Sequence, residues 1–119
     1  MKTKNTGFIR LYFATLYSCK GLKAAFLSEP AVRQELAVLC LLVPLAFWLD
    51  ITVVERALLI ISLFIVLIAE LLNSAVEALA DRVSTEVHVL IGKAKDIGSA
   101  AVFVSLIMAM LVWGMILLT

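Results

Sequence analysis

Glu70, Asn73, Glu77 and Asp81 follow one another at spacings of three, four and four residues inside a stretch that is otherwise almost wholly apolar. On a helix of about 3.6 residues per turn, those spacings gather the four polar side chains into one narrow stripe. A carboxylate at membrane depth costs roughly 2.5–3.5 kcal/mol at a helix centre, which makes the stripe a functional candidate. Two chemistries are open to it. Carboxylates hold a hard cation such as magnesium, and a nearby ammonium offsets phosphate charge. A carboxylate at an apolar boundary is also desolvated, which favours uptake of a proton and suits a general base. Together these properties suit phosphoryl transfer to a lipid hydroxyl, where positioning and charge neutralisation supply most of the catalysis.

The elements that carry the stripe follow from hydropathy. The chain has 119 residues, 64% of them hydrophobic, and a mean hydropathy of +1.12. That is too apolar for a soluble domain, and the length allows only one, an integral-membrane domain over 1–119. Positions 97–119 are uncharged, a run long enough to cross a hydrocarbon core of about 30 Å. A second uncharged run, Ala57–Ala69, extends to Val53 and Leu72, while Leu36–Leu49 must recruit Ala31–Glu35 to reach across. The expected architecture is all-α, with three transmembrane helices at about 30–49, 53–82 and 93–118. An amphipathic surface helix at about 7–27 precedes them, with Phe8, Leu11, Tyr12, Thr15, Cys19, Leu22 and Phe26 on one side. Its Lys20 and Lys23 suit a membrane surface, and packing on the spans is an equally open reading. Pro30 marks the first turn of span one. Thr52-Val53-Val54-Glu55 matches a capping box that starts span two after a tight turn. Ala94, Gly98, Ala101, Ser105 and Ala109 form a stripe of small residues on span three, suited to close packing in the bundle. Three short helices enclose little volume, so neighbouring protomers are expected to complete the burial.

Basic residues set the expected orientation. Lys2, Lys4, Arg10, Lys20, Lys23 and Arg33 precede or open span one, Arg82, Lys93 and Lys95 lie between spans two and three, and Arg56 alone lies on the other side. The N-terminus and the 82–96 segment are therefore expected in the cytoplasm, with the C-terminus outside. No cleavable leader is expected, since the chain opens on polar residues. Cys19 and Cys40 read as small apolar filler rather than a disulfide. Trp48 and Trp113 suit the outer aromatic belt.

Glu29, the segment Glu70–Glu77, and Lys93, Lys95 and Asp96 thus meet at one cytoplasmic boundary, reachable by a lipid from the side and by a water-borne substrate from below. Plainer readings stand beside this one. Asp81, Arg82, Glu86 and Lys93 also suit a solvated loop, His88 a surface histidine, and Glu70 with Asn73 interhelical hydrogen bonding. No Gly-rich phosphate loop or protein-kinase signature is present.

Longer matches narrow the choice. Glu70-Leu71-Leu72-Asn73-Ser74-Ala75-Val76-Glu77-Ala78, then Asp81-Arg82, then Lys93-Ala94-Lys95-Asp96-Ile97-Gly98-Ser99-Ala100-Ala101 resemble the prokaryotic diacylglycerol kinase family. The likeness continues in Tyr17-Ser18-Cys19-Lys20-Gly21-Leu22, in Glu29 with Arg33-Gln34-Glu35, and in Trp48-Leu49-Asp50, so it covers nearly the whole chain. The resemblance implies a homotrimeric enzyme of the bacterial inner membrane, with its C-terminus periplasmic, that moves the γ-phosphate of MgATP to diacylglycerol to give phosphatidic acid. It implies Glu70 as the general base, Asn73 as its support, and Glu29 and Glu77 as magnesium ligands. Nucleotide contacts are implied for Arg10, Tyr17, Glu29, Glu77, Glu86, His88, Lys95 and Asp96. Lipid contacts are implied for Arg10, Trp48, Asp50, Arg56, Glu70, Ser99 and Trp113. Val87 departs from the tyrosine that relatives commonly carry, and Pro30 stiffens the backbone beside Glu29. The partners expected are diacylglycerol, ATP and membrane lipids, with no nucleic acid. An undecaprenol kinase of the same fold, or a small ion-coupled transporter, are the alternatives; the transporter would need its carboxylate nearer midplane.

Overall fold

A computed structural model of the chain describes residues 7–83 and 89–119. Four α-helices follow in order, α1 (Phe8–Ser28), α2 (Pro30–Trp48), α3 (Val53–Val83) and α4 (Val89–Leu118). The last three are each long and apolar enough to cross a membrane, which is the architecture the hydropathy pattern indicates. At 1.5 Å per residue, the 31 residues of α3 span about 46 Å. The molecule measures 49 × 42 × 22 Å, so its short dimension is about two helix diameters. It is a thin layer with α3 packed between α2 and α4.

Local chemistry explains each boundary. Glu29 takes an extended conformation (φ −117°, ψ 107°) as Pro30 opens α2, in keeping with the bias proline imposes on the residue before it. At the opposite end Thr52 and Glu55 form the anticipated capping box. The Thr52 amide donates to Glu55 Oε1 at 3.0 Å and the Glu55 amide to Thr52 Oγ1 at 3.1 Å. α2 runs through Pro44 without ending, as membrane helices can. α4 begins a turn before the expected span, at Val89. Val89, Leu90, Ile91 and Gly92 are uncharged, and the helix runs through them ahead of Lys93 and Lys95.

The core is small. Val32 and Leu39 of α2 meet Leu63 and Leu67 of α3, with Leu36, Leu71 and Trp113 packed around them. No residue of α1 is buried, and Phe8 is 88% exposed. Of the small-residue stripe on α4, Ser105 and Ala109 are buried and Gly98 is half-buried against α3, whereas Ala94 and Ala101 remain exposed. Cys40 faces outward instead of filling the core, and both it and Cys19 are free thiols.

Candidate active site

The site is assembled where α1 hands over to α2, beside the C-terminal half of α3 and the first turns of α4. Glu29 is the N-cap of α2, yet its side chain caps nothing. Its carboxylate instead reaches α3, where Oε1 accepts a hydrogen bond from Ser74 Oγ at 3.3 Å. The Glu29 amide is bonded to the Ala25 carbonyl at 2.8 Å, so this residue ends α1 and opens α2 while its carboxylate turns to α3. Arg33 closes the junction by donating to the carbonyls of Phe26 and Leu27 at 2.7 and 3.2 Å, satisfying the end of α1.

The carboxyls of Glu29 and Glu77 both lie within electrostatic range of Glu70. Glu35, half-buried on α2, lies within range of Glu70 as well. Lys95 of α4 pairs with Asp81 of α3 at 2.6 Å and also feels Glu77. Asn73, one turn from Glu70 and from Glu77, points its amide oxygen at α4. That Oδ1 is buried and has no hydrogen-bond partner among the described residues. A Cβ at Gly98 would collide with it, so any larger residue there would displace the Asn73 amide. A buried amide oxygen without a partner costs about 1–3 kcal/mol, and such a cost marks a place where function competes with packing.

Among the described residues, no group of three or more histidines, cysteines or carboxylates is arranged to hold a metal. Two carboxylates from different helices, Glu29 and Glu77, suit magnesium in the manner typical of phosphate chemistry. That ion takes one or two protein carboxylates and completes its shell with phosphate oxygens and water. The donor set therefore fits a metal that arrives with a nucleotide.

Beside these groups a cleft of about 570 Å³ opens between α1 and the 71–78 segment of α3, with Ser28, Glu29 and Ser74 among its polar wall residues. Gly21, Ala24, Ala25, Ala75 and Ala78 line the rest with Leu22 and Leu71, and their small size keeps it open.

The remaining predicted residues divide by position. Arg10 and Tyr17 lie exposed on α1. The Tyr17 ring stacks on Phe13 at 6.5 Å between centroids and carries Lys20 over it at 5.8 Å. Asp96 and Ser99 are exposed on α4. Glu86 and His88 lie outside the described residues. Trp48, Asp50, Arg56 and Trp113 all belong to the opposite end of the bundle. Arg56 is fourteen residues from Glu70 on α3, about 21 Å along the axis. Its guanidinium donates to the carbonyls of Ala46, Leu49 and Ile51 at 2.9, 2.9 and 3.3 Å, so it closes the end of α2. Trp113 is half-buried and donates from Nε1 to the Leu59 carbonyl at 3.3 Å, docking α4 on α3. Trp48 is 82% exposed.

Sequence reasoning assigned no role to Glu35 or Ser74. Glu35 had a legible signal, because its spacing from Val32 and Leu39 puts a carboxylate beside the helix face that packs on α3. Ser74 had a weaker one, being four residues beyond Glu70 and flanking the acidic stripe.

Comparison with known proteins identifies the family. The family model described as prokaryotic diacylglycerol kinase matches residues 16–117. A protein named diacylglycerol kinase from Escherichia coli strain K12 is 48% identical over 117 residues, covering 98% of this chain and 96% of its own length. One of the same name from Haemophilus influenzae is 50% identical over 114 residues, covering 96% and 97%. Another, from Pseudomonas aeruginosa, is 50% identical over 113 residues, covering 95% and 92%. Matches of this extent, spanning every helix that builds the site, establish that the chain belongs to the prokaryotic diacylglycerol kinase family.

Proposed function

We propose that this chain transfers the γ-phosphoryl group of MgATP to the free hydroxyl of diacylglycerol, giving phosphatidic acid and ADP at the cytoplasmic face of a bacterial inner membrane. The observation that carries the reading is the convergence of Glu29, Glu70, Glu77 and Lys95, from three helix ends, upon one end of the bundle, in a chain whose relatives are named for this reaction.

Glu70 is the base. Its carboxylate takes the hydroxyl proton as the lipid oxygen forms its bond to the γ-phosphorus. The bond from that phosphorus to the bridging oxygen breaks, and ADP leaves with the electron pair. The Glu29 and Glu77 carboxylates lie near Glu70, so the base works beside the groups that would hold the phosphate's cation. Glu29 and Glu77 would hold magnesium, which neutralises phosphate charge when bound. Lys95 offers an ammonium to the phosphate oxygens, and Asn73 presents an amide to the same space. Arg10, Tyr17 and Asp96 contribute to nucleotide binding, with Glu86 and His88 from the neighbouring segment. The apolar walls of the cleft between α1 and α3 suit the non-reacting part of the lipid. A diacyl chain is also long enough to run from Glu70 and Ser99 toward Arg56, Trp48, Asp50 and Trp113 at the far end. The uncovered apolar faces of the thin helical layer favour a homotrimer, with the N-terminus cytoplasmic and the C-terminus periplasmic.

The test is an assay in lipid nanodiscs with MgATP and either diacylglycerol or undecaprenol, comparing the unmodified chain with Glu70→Gln. Phosphatidic acid made by the unmodified chain and not by the variant is the expected result. Turnover by Glu70→Gln near the normal rate would remove the base assignment, and phosphorylation of undecaprenol alone would reassign the lipid.

A further inference from the structure

Asp81 closes the acidic stripe, yet the proposed chemistry gives it no task. Its Oδ1 lies 2.6 Å from Lys95 Nζ, an ion pair from α3 to α4 with both side chains substantially in solvent, 68% and 40% exposed. The register of the two helices shows what that pair does. Trp113 meets Leu59 and Gly98 meets Asn73, so α3 and α4 run antiparallel and nearly in step. Lys95, three residues before Gly98, is therefore level with Val76 and Glu77. Asp81 lies four residues beyond Glu77, about 6 Å further along the axis. The lysine side chain must lean along α3, away from the level of its own backbone, to reach it. Glu77 remains within electrostatic range of the same ammonium. Two carboxylates thus compete for one cation, and Asp81 holds it.

We propose that Asp81 is a positioning residue acting through Lys95: by drawing the ammonium toward the end of α3, it keeps the Glu77 carboxylate unpaired for a divalent cation and leaves Lys95 beside it to meet phosphate. An ammonium settled on Glu77 would cancel the charge the metal needs and occupy oxygens it would ligate. A solvent-exposed ion pair contributes little to folding, so its placement, and not its strength, is what the site uses. The inference rests on the proposed reaction.

The test uses the full chain in nanodiscs and two readouts, diacylglycerol phosphorylation and calorimetric binding of the non-hydrolysable nucleotide adenylyl imidodiphosphate, each at graded magnesium. Asp81→Asn is expected to raise the magnesium needed for half-maximal binding and for half-maximal rate by about threefold to fivefold, the scale of an exposed charge pair. The kcat at saturating magnesium stays near that of the unmodified chain, and Asp81→Glu restores the normal requirement. In a Lys95→Met background, Asp81→Asn adds no further rise, because the competitor for Glu77 is gone. Lys95→Met alone weakens nucleotide binding without raising the magnesium requirement, which tests the idea even if Asp81→Asn fails to fold. An unchanged magnesium requirement in Asp81→Asn, or a rise that persists without Lys95, overturns the proposal. An unmodified chain that neither binds the nucleotide analogue nor phosphorylates diacylglycerol overturns instead the reaction on which it rests.

Discussion

The two ends of the helical layer solve the same problem in opposite ways. Where α2 turns into α3, polar groups find partners. Thr52 and Glu55 cap each other, Arg56 spends its guanidinium on three carbonyls, and Trp113 delivers its indole N–H to Leu59. At the other end, Glu70 has like charges for neighbours, the Asn73 oxygen is buried without a partner among the described residues, and Glu29 leaves its helix uncapped. Satisfied polar groups stabilise a fold, whereas unsatisfied ones persist where a ligand or substrate completes them. One end holds the hairpin together and the other is built to be finished by what it binds.

The largest expected effect breaks that division most directly. Glu70→Gln removes the proposed base and one of several neighbouring carboxylates. Turnover should fall by about 10²- to 10⁴-fold, the range for loss of an acid–base group. Thermal unfolding in detergent should show equal or greater stability. A matching loss of stability would mean that Glu70 holds the bundle together and that the two ends do not differ in kind.

Arg56→Ala tests the opposite end. Hydrogen bonds from a charged donor contribute about 1.5–3 kcal/mol, so the variant should unfold at markedly lower temperature while the folded fraction keeps its kcat. The resemblance implied a lipid contact for this arginine. A raised KM for diacylglycerol with unchanged stability would restore that role and weaken the distinction.

Arg56 also illustrates what one chain of letters can convey. Elements governed by runs and local spacing were legible: the three membrane-length helices, the proline at the start of α2, and the capping box at Thr52. The acidic stripe was legible for the same reason, since Glu70, Asn73 and Glu77 share one helix. Interactions between helices were not. Nothing in the spacing of Trp113 indicates a bond to a carbonyl fifty-four positions away. Gly98 could be read as a small packing residue, but that Asn73 is what it makes room for depends on the register between α3 and α4. Lys95 was placed with the phosphates by resemblance, while its pairing with Asp81 depends on the same register.

Gly98→Ala sharpens the comparison at the functional end. The added methyl collides with the Asn73 amide, and overpacking of this kind costs about 1–3 kcal/mol. Both stability and turnover should fall, because the Asn73 amide is displaced beside the proposed base. Pairing it with Asn73→Ala should recover stability but not activity, as unfolding midpoints and single-turnover rates would reveal. Recovery of both would mean that Asn73 only fills space.

The smallest effect belongs to Thr52→Ala. The hydroxyl accepts from the Glu55 amide at 3.1 Å, and losing an N-cap of this type costs about 1 kcal/mol. The Glu55 carboxylate still bonds the residue 52 amide, so half of the box survives and α3 should begin at the same place. The unfolding midpoint should drop slightly with kcat, KM and magnesium dependence all unchanged. That selectivity is the point of the measurement. A cap on the same helix as Glu70 but about five turns away should affect how firmly α3 is anchored and not what its far end does. A change in kcat from this substitution would show that α3 transmits strain along its length and that the two ends work as one device.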